Sequence, residues 1–324
     1  MKLGMVLHRE QDPTQVAAIA RAAEDAGLTE LWFIEDLLFN TGPSLAAVAL
    51  ASTESLVVGT GIIPVAHRNP VVTAMELSTL GRLGGTTPDG SSRFVAGLGH
   101  GVTEWNRWIG EGSRSPLTRF ADTIRVLRAL MAGERISDQG LHHDLADVAL
   151  DAVPGHHVPL LGGAFGPKSL ELMGDICDGL LLAEFAGPST VRWARDLGRI
   201  GDDQTVRCFV AAAIDDDDGD AVRAELAGFL GSVMADRPHV FHAAPFADEL
   251  GERLADGDPF EVAATLPVEW WHELGAVGTR ADAETNLAGL AEAGVETAIL
   301  FPEPGQELRD AATYASFVEF ADSL

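Results

Sequence analysis

The sequence has little positive charge and no long hydrophobic run, and each shortage excludes a class of function. Lys and Arg number 22 against 49 Asp and Glu, which gives a net charge of −27 and a pI near 4.5. Nucleic acids and anionic membranes are bound through clustered basic side chains, so neither is expected as a partner. No stretch approaches the roughly 18 apolar residues of a membrane span, and the first segment, MKLGMVLHREQ, soon becomes charged. We predict a cytoplasmic protein.

Cysteine and lysine are also scarce. Cys177 and Cys208 lie in the apolar segments GDICDGLLL and VRCFVAAA. Two cysteines in a chain of 324 residues do not make a disulfide framework, so both are predicted to be buried thiols. Lys2 and Lys168 are the only lysines, which draws attention to Lys168. With 46% hydrophobic and 22% charged residues, the composition predicts a globular chain.

What the sequence does have is a regular alternation of short β-branched runs with amphipathic segments of helical length. This pattern indicates parallel strands joined by crossover helices. The predicted strands are Leu3–Leu7, Leu31–Ile34, Leu56–Gly61, Phe94–Gly97, Val158–Leu161, Gly179–Leu182, Val206–Ala213 and Thr297–Phe301. Eight strands favour an α/β fold of the (β/α)8 TIM-barrel type. A doubly wound open sheet, the competing topology, usually has fewer strands and places its glycine-rich loop after the first one.

Two segments interrupt the alternation. The stretch Gly84–Ser92 (GGTTPDGSS) has the composition of a loop. After the seventh strand, the acidic run Asp215–Asp218 suits a solvated helix start, and the chain then departs from the pattern until about Gly275. We predict one barrel domain over residues 1–324, with an insertion on its rim at about 231–276.

Candidate functional residues follow several predicted strands, at the end of the barrel where ligands bind in this fold. Glycine-rich loops occur at residues 59–70 (GTGIIPVAHRNP), 96–105 (AGLGHGVTEW) and 160–179 (LLGGAFGPKSLELMGDICDG). Such loops expose backbone N–H groups to a phosphate or a planar ring, although a tight turn would explain the second loop equally well. The helix that begins at Pro167 carries Lys168 in its first turn, where a cation opposes the helix dipole unless an anion lies beside it. A solvated ammonium is the alternative.

Two adjacent carboxylates end the second predicted strand. Glu35 and Asp36 lie in the segment LWFIEDLLFN. Neighbouring residues of a strand point to opposite faces, so at most one is expected to enter the barrel mouth. Either carboxyl group would serve as a general acid or base if burial raised its pKa.

In this order, the segments resemble the luciferase-like monooxygenase superfamily. They are most similar to its branch that uses the deazaflavin coenzyme F420, which includes methylenetetrahydromethanopterin reductase and F420-dependent alcohol and glucose-6-phosphate dehydrogenases. The resemblance extends over nearly the whole chain. Its most specific parts are four segments: HRNPVVTAMELSTLGRL, then RFVAGLG further along the chain, GAFGPKSLELMGDICDG, and GTRADAETNLAGLAEAGVETAILFP. The GPKSLELMG stretch looks more like the reductase branch than like the FMN-dependent monooxygenases.

The resemblance implies roles for individual residues. In these relatives a non-prolyl cis peptide in strand three backs the deazaflavin ring, and the matching bond here is Gly61–Ile62. Ile62 would then press on one face of the ring. Gly99, His100 and Gly101 match the loop beside the cofactor. The loop that holds the phosphate of the cofactor side chain matches Gly163, Ala164, Phe165, Gly166 and Pro167, followed by Lys168.

Two departures from the family pattern concern the catalytic acid. Glu35 and Asp36 stand where relatives commonly have an Asp-His pair. Val102 stands where the sugar-phosphate dehydrogenase has a glutamate, which disfavours a sugar-phosphate substrate. If a carboxylic acid supplies the proton, a histidine is expected nearby, the possibilities being His8, His67 and His100. The catalytic candidates are therefore Glu35, Asp36 and His100.

Other features have simpler explanations. The histidine pairs at 142–143 and 156–157 lack further ligands at a metal-binding spacing, so they are predicted to be solvated turns and no metal is expected. Trp270, Trp271 and Phe260 would form either a lid over the substrate or part of a core or interface, which is the commoner outcome for tryptophan.

The sequence thus predicts an F420-dependent oxidoreductase that transfers a hydride between the deazaflavin and a small organic substrate. Two alternatives stay open. One is an FMN-dependent luciferase-like monooxygenase that uses reduced flavin and oxygen, and the other is a flavin-binding protein without turnover. The resemblance also implies a homodimer that pairs through helices near strands two and three.

Overall fold

A computed structural model describes residues 1–140, 142–301 and 307–324 of the chain. Its strands are β1 (Lys2–Leu7), β2 (Glu30–Phe33), β3 (Val57–Pro64), β4 (Phe94–Gly99), β5 (Ile136–Gln139), β6 (Asp144–Val148), β7 (Leu160–Gly163), β8 (Gly179–Leu182), β9 (Thr205–Ile214), β10 (Gly275–Gly278) and β11 (Thr297–Phe301).

The helices alternate with these strands, as the amphipathic pattern predicts. They are α1 (Val16–Asp25), α2 (Gly42–Ser52), α3 (Pro70–Gly84), α4 (Thr103–Trp108), α5 (Pro116–Met131), α6 (Pro167–Ile176), α7 (Pro188–Gly198), α8 (Gly219–Asp236), α9 (Ala247–Asp256), α10 (Pro259–Ala264), α11 (Val268–Trp271), α12 (Arg280–Glu292), α13 (Glu307–Ala315) and α14 (Val318–Ser323). Within the described ranges, none of them combines the length and apolarity needed to cross a bilayer.

Eight parallel strands close into a barrel. Their order is β1–β2–β3–β4–β7–β8–β9–β11, and β11 pairs again with β1. The strand β10 pairs instead with the C-terminal part of β9, and β5 and β6 form an antiparallel hairpin. The predicted (β/α)8 barrel is confirmed.

The barrel has an apolar interior and a larger apolar layer between strands and helices. The interior is filled by Val6, Trp32, Val95, Leu161, Leu181, Phe209 and Ile299. Alternate residues of each strand point inward, which is why these residues come from strands around the whole barrel. The mouth of the barrel therefore lies above a packed floor rather than an open channel.

A buried ion pair lies at the opposite, N-terminal end of the barrel. Glu30 is 1% exposed and accepts hydrogen bonds from Nε of Arg207 at 3.1 Å, Nε1 of Trp32 at 2.8 Å and Oγ1 of Thr297 at 3.0 Å. Burial alone would lower the pKa of Arg207, but Glu30 and Glu296 outweigh it and raise that pKa above its ordinary value. These contacts join β2, β9 and β11 near their N-terminal ends.

The insertion after the seventh barrel strand, β9, builds a second apolar cluster. Trp271 is 2% exposed and Trp270 8%, and the ring of Trp270 stacks on Phe246 with centroids 4.2 Å apart. The interpretation of both tryptophans as core residues is confirmed, whereas Phe260 is half exposed. The cluster also contains Ala211 of β9, so the insertion packs directly on the barrel.

Some predicted boundaries differ from the structure. The second strand is Glu30–Phe33, the third continues to Pro64 through an irregular register, and the fifth barrel strand is Leu160–Gly163 rather than Val158–Leu161. The hairpin β5–β6 and the strand β10 were not predicted. The hairpin is rich in Asp, and β10 is only Gly-Ala-Val-Gly, so neither has the β-branched composition of a recognisable strand.

Both cysteines are buried free thiols, as predicted. Burial raises the pKa of Cys177 to about 12 and raises the pKa of Cys208 as well. Since the thiolate is the reactive form, we expect the native protein to give no rapid reaction with a disulfide reagent at about pH 8. The denatured chain should give two thiols in the same assay. Stoichiometric labelling of the native protein would contradict the burial of these side chains.

Candidate active site

The floor of the barrel mouth is formed around Ile62 of β3. The peptide bond between Gly61 and Ile62 is cis, at the position that the family resemblance implied. A Cβ atom on Gly99 of β4 would lie 2.3 Å from Cδ1 of Ile62, and one on Gly163 of β7 would lie 2.5 Å from its Cγ2. Both distances are shorter than real Cβ contacts. The side chain of Ile62 therefore extends over β4 and β7 because both glycines lack side chains.

Apolar and aromatic side chains continue this floor. Ile34, Ile62 and Phe301 are partly buried and pack on the barrel interior. The ring of Phe301 makes edge-on contacts with Phe209 at 5.6 Å and with His8 at 5.7 Å between centroids. The mouth thus offers an apolar base, which suits an apolar ring better than a charged group.

The loop after β4 is held by Asn106. This side chain is 7% exposed, donates through Nδ2 to the carbonyl of His100 at 2.9 Å, and lies 3.0 Å from Nε2 of His67 through Oδ1. Nδ1 of His100 lies 2.8 Å from the carbonyl oxygen of Gly101. Because a carbonyl can only accept, Nδ1 is the donor in this contact, which leaves Nε2 free of it.

Glu35 is engaged on both of its oxygens. Arg68 donates to it from two nitrogens, with Nη2 2.8 Å from Oε2, and the backbone N–H of Gly42 donates at 3.0 Å. Nε of Arg68 lies 3.1 Å from Glu76. Burial raises the pKa of Glu76 despite this neighbouring guanidinium. Glu35 is therefore a bidentate ion-pair partner that joins the loop after β2 to the loop after β3.

Asp36 has a separate partner on the rim. Its Oδ2 accepts from Nη1 of Arg9 at 3.0 Å, and the Arg9 guanidinium lies 4.5 Å above the ring of Phe39. Asn40 donates to the carbonyls of Arg9 and Gln11, at 3.1 and 2.8 Å. The loops after β1 and β2 are thereby tied together, and Asp36 keeps 26% of its side chain exposed.

The glycine loop after β7 leads into α6 without a side-chain cap. Gly166 occupies the N-cap position, and a Cβ atom there would meet nothing within 4 Å. Ala164 is 7% exposed, Pro167 is the first helical residue, and Lys168 is exposed. Lys168 makes no ion pair within the part of the chain that the structure describes. An open helix N-terminus beside a lysine fits a phosphate group.

Two charged residues that the sequence analysis did not single out also lie at this rim. Arg237 caps the end of α8, and its Nη2 donates to Oε1 of Glu184 at 3.0 Å. Its Cζ atom is 5.3 Å from the centroid of the Phe165 ring, within the glycine loop. Glu184 is two residues beyond the sixth predicted strand, a position that could have identified it. Arg237 lies in the insertion, where the sequence did not predict which side chains face the barrel mouth.

The histidine pairs do not form a metal centre. Nε2 of His143 lies 2.6 Å from Asp138, and its side chain is 3% exposed, so the prediction of a solvated turn is wrong at this position. His157 is exposed and lies 3.4 Å from Asp178. Over residues 1–140, 142–301 and 307–324, no three His, Cys, Asp or Glu side chains converge on a metal position.

These features define a class of protein: a (β/α)8 barrel whose mouth has an apolar floor and a glycine loop that leads into a helix without a side-chain cap. The profile of the luciferase-like monooxygenase family matches residues 1–297. The chain belongs to this family, as the sequence resemblance predicted.

Individual relatives use F420 or act on pterins. The chain is 28% identical over 263 residues to 5,10-methylenetetrahydromethanopterin reductase of Methanolobus tindarius, covering 76% of this chain and 77% of that protein. It is 30% identical over 202 residues to the F420-dependent glucose-6-phosphate dehydrogenase of Beutenbergia cavernae, covering 58% of each. The structure of the coenzyme F420 dependent tetrahydromethanopterin reductase from Methanopyrus kandleri superposes with a TM-score of 0.79 at 20% identity, covering 98% of both chains.

Proposed function

We propose that this protein is an F420-dependent oxidoreductase that transfers a hydride between the deazaflavin and a small organic substrate. The observation that carries the proposal is the side chain of Ile62, which extends over Gly99 and Gly163. It gives the mouth an apolar surface for one face of the ring, and we assign the substrate to the other face. The F420-dependent relatives support the choice of cofactor.

The residues present fit this cofactor. Ile62 would contact one face of the ring, with Gly99, His100 and Gly101 beside it. The side-chain phosphate would be held by the loop and helix start Gly163, Ala164, Phe165, Gly166, Pro167 and Lys168, where the helix N-terminus is open. When bound, F420 supplies the carbon that donates or accepts the hydride.

The chain itself would position the reactants, exclude water and move a proton. The apolar floor keeps water from one side of the reacting centre, and a fixed orientation replaces the entropy of a bimolecular encounter. We assign proton transfer to Nε2 of His100 or to Asp36, each worth typically 10²–10⁴-fold in rate when well placed. Glu35 is assigned a positioning role, because Arg68 occupies both of its oxygens.

The test is a titration of the purified protein with oxidised F420 and, separately, with FMN, followed by cofactor fluorescence and heat of binding. We expect micromolar or tighter binding of F420 and weaker binding of FMN. The variant Lys168→Ala should weaken F420 binding, because it removes the cation at the start of α6. Preference for FMN would assign the protein to the monooxygenase branch. Binding of F420 without oxidation of the reduced cofactor by any substrate would support a binding protein.

We also propose a homodimer that pairs through α2 and α3. Large apolar side chains are exposed on these helices and on the loop before them, at Leu38 (82%), Phe39 (43%), Val48 (37%), Val72 (52%), Met75 (54%) and Leu83 (44%). Exposed apolar side chains grouped on neighbouring elements are typical of a protein–protein interface.

Introducing a charge into this face is expected to separate the subunits. Met75→Glu would bury an unpaired carboxylate in the dimer, so we expect a monomer by size-exclusion chromatography with light scattering, with the unfolding transition retained. Val268→Glu is the matched control, because Val268 is similarly exposed (44%) but lies on α11 of the insertion. An unchanged dimer for Met75→Glu would place the interface elsewhere.

We further infer that residues 1–324 act as one barrel domain with its rim insertion, and that the protein resides in the cytoplasm. The packing of the insertion on Ala211 supports a single unit. The two free, buried thiols are consistent with a reducing compartment.

A further inference from the structure

Three loops of neighbouring barrel strands meet at one guanidinium group. Phe165 follows β7, Glu184 follows β8, and Arg237 ends the helix α8 that follows β9. Nη2 of Arg237 is 3.0 Å from Oε1 of Glu184, and its Cζ is 5.3 Å from the ring centroid of Phe165. Arg237 is therefore fixed at the edge of the glycine loop, although it belongs to the insertion.

This guanidinium retains unused donors. An arginine has five N–H donors, and the ion pair with Glu184 is made through Nη2. Within the described residues, Nε and Nη1 of Arg237 have no hydrogen-bond partner, and 37% of the side chain is exposed. Glu184 is more enclosed, with 13% of its side chain exposed. The pair thus holds the arginine in place while leaving two nitrogens for a ligand.

From this geometry we infer that Arg237 binds an anionic oxygen of the cofactor side chain, a phosphate or a carboxylate, and so extends the anion site from α6 onto the insertion. The inference rests on the proposed function. The remaining N–H groups of this guanidinium can each donate a charge-assisted hydrogen bond to a phosphate or carboxylate oxygen. In a chain with a net charge of −27, a cation with unused donors is a favourable position for an anion. Lys168, in the first turn of α6, supplies the other cation of this proposed anion site.

The chain contains a matched control for this role. Arg253, also in the insertion, donates to Glu249 at 2.6 Å and lies 4.7 Å above the ring of Trp270. It is similarly exposed, at 33% of its side chain. Arg253 therefore shares the chemistry of Arg237, a carboxylate partner and an aromatic ring, but its ring is Trp270 of the second apolar cluster rather than Phe165 of the glycine loop.

The experiment compares two ligands on Arg237→Met, Arg237→Lys and Arg253→Met. One ligand is oxidised F420, and the other is the same deazaflavin with only a ribityl chain, which lacks the phosphate and the carboxylates. We expect Arg237→Met to weaken F420 binding by about tenfold to a hundredfold and to leave the ribityl ligand within about twofold. Arg237→Lys should recover part of the affinity, and Arg253→Met should match the wild type. The dependence of F420 affinity on salt should also be shallower in Arg237→Met.

The outcomes separate this inference from the proposed function. Equal loss of both ligands in Arg237→Met would show that the residue acts by packing on Phe165, and would overturn the assignment. Unchanged F420 affinity in a folded Arg237→Met would overturn it as well. A wild-type protein that fails to bind F420 would instead reject the proposed function, whatever the variants do.

Discussion

Replacing Gly99 with alanine is expected to weaken F420 binding by about tenfold or more. The new methyl group would need the position of Cδ1 of Ile62, only 2.3 Å away, so it would push that side chain out of the floor and toward the ring. Overpacking of this kind typically costs about 1–3 kcal/mol, and tenfold in affinity corresponds to about 1.4 kcal/mol. The measurement is the dissociation constant from deazaflavin fluorescence, with the melting temperature recorded in parallel.

A second substitution makes this prediction specific to one atom. Ile62→Val removes Cδ1 but keeps Cγ2, so it should restore binding in the Gly99→Ala background. The same substitution should not rescue Gly163→Ala, whose methyl group would lie 2.5 Å from Cγ2. Ile62→Val alone is expected to bind F420 within about threefold of the wild type, since it removes one methyl group from the contact. Rescue of both glycine variants, or of neither, would show that Ile62 is not the side chain that these glycines accommodate.

Breaking the ion pair at the N-terminal end of the barrel is expected to produce the largest loss of stability. Arg207→Met leaves the carboxylate of Glu30 buried at 1% exposure without a cation, although Trp32 and Thr297 still donate to it. Removing one partner of a buried pair costs about 3–5 kcal/mol. We expect the free energy of unfolding, from urea titration followed by circular dichroism, to fall by this amount.

A surface pair provides the comparison. Arg199 lies 2.6 Å from Asp175, closer than the buried pair, but both side chains are more than half exposed. Solvent screening makes such pairs weak, so Arg199→Met should leave the urea midpoint unchanged within error. If Arg199→Met lowered the free energy of unfolding as much as Arg207→Met, burial would not be what determines how much an ion pair stabilises this protein.

The fold could be predicted because its signal is repeated along the chain. Each barrel strand is a short apolar run between helices, and the family pattern located the cis bond at Gly61–Ile62 to the residue. The strands that were not predicted, β5, β6 and β10, contain few of the β-branched residues that are typical of strands. The four residues of β10 are held by pairing with β9 across more than sixty residues of intervening sequence, and no local preference signals such a contact.

The candidate site was less predictable, because charged side chains acquire their roles from partners distant in sequence. Glu35 and Asp36 are neighbours in the chain, yet one is paired with Arg68 and the other with Arg9. Only the folded chain shows that the first carboxylate is fully engaged while the second is partly exposed. Arg237 was missed for the same reason, since its nearest functional neighbours, Phe165 and Glu184, are more than fifty residues away.

The length of β9 restricts how the entrance to the mouth can move. Its N-terminal part closes the barrel against β8 and β11, while Ala211–Ile214 pairs with β10, the strand to which the insertion returns. Swinging the whole insertion away as a rigid flap would break this ladder. Binding of substrate and release of product should therefore depend on local rearrangement of α9, α10 and α11. We expect amide hydrogen exchange to be slow in β9 and β10 and faster in these three short helices. The entrance is therefore expected to change shape through its short helices while β9 and β10 keep the base of the insertion fixed.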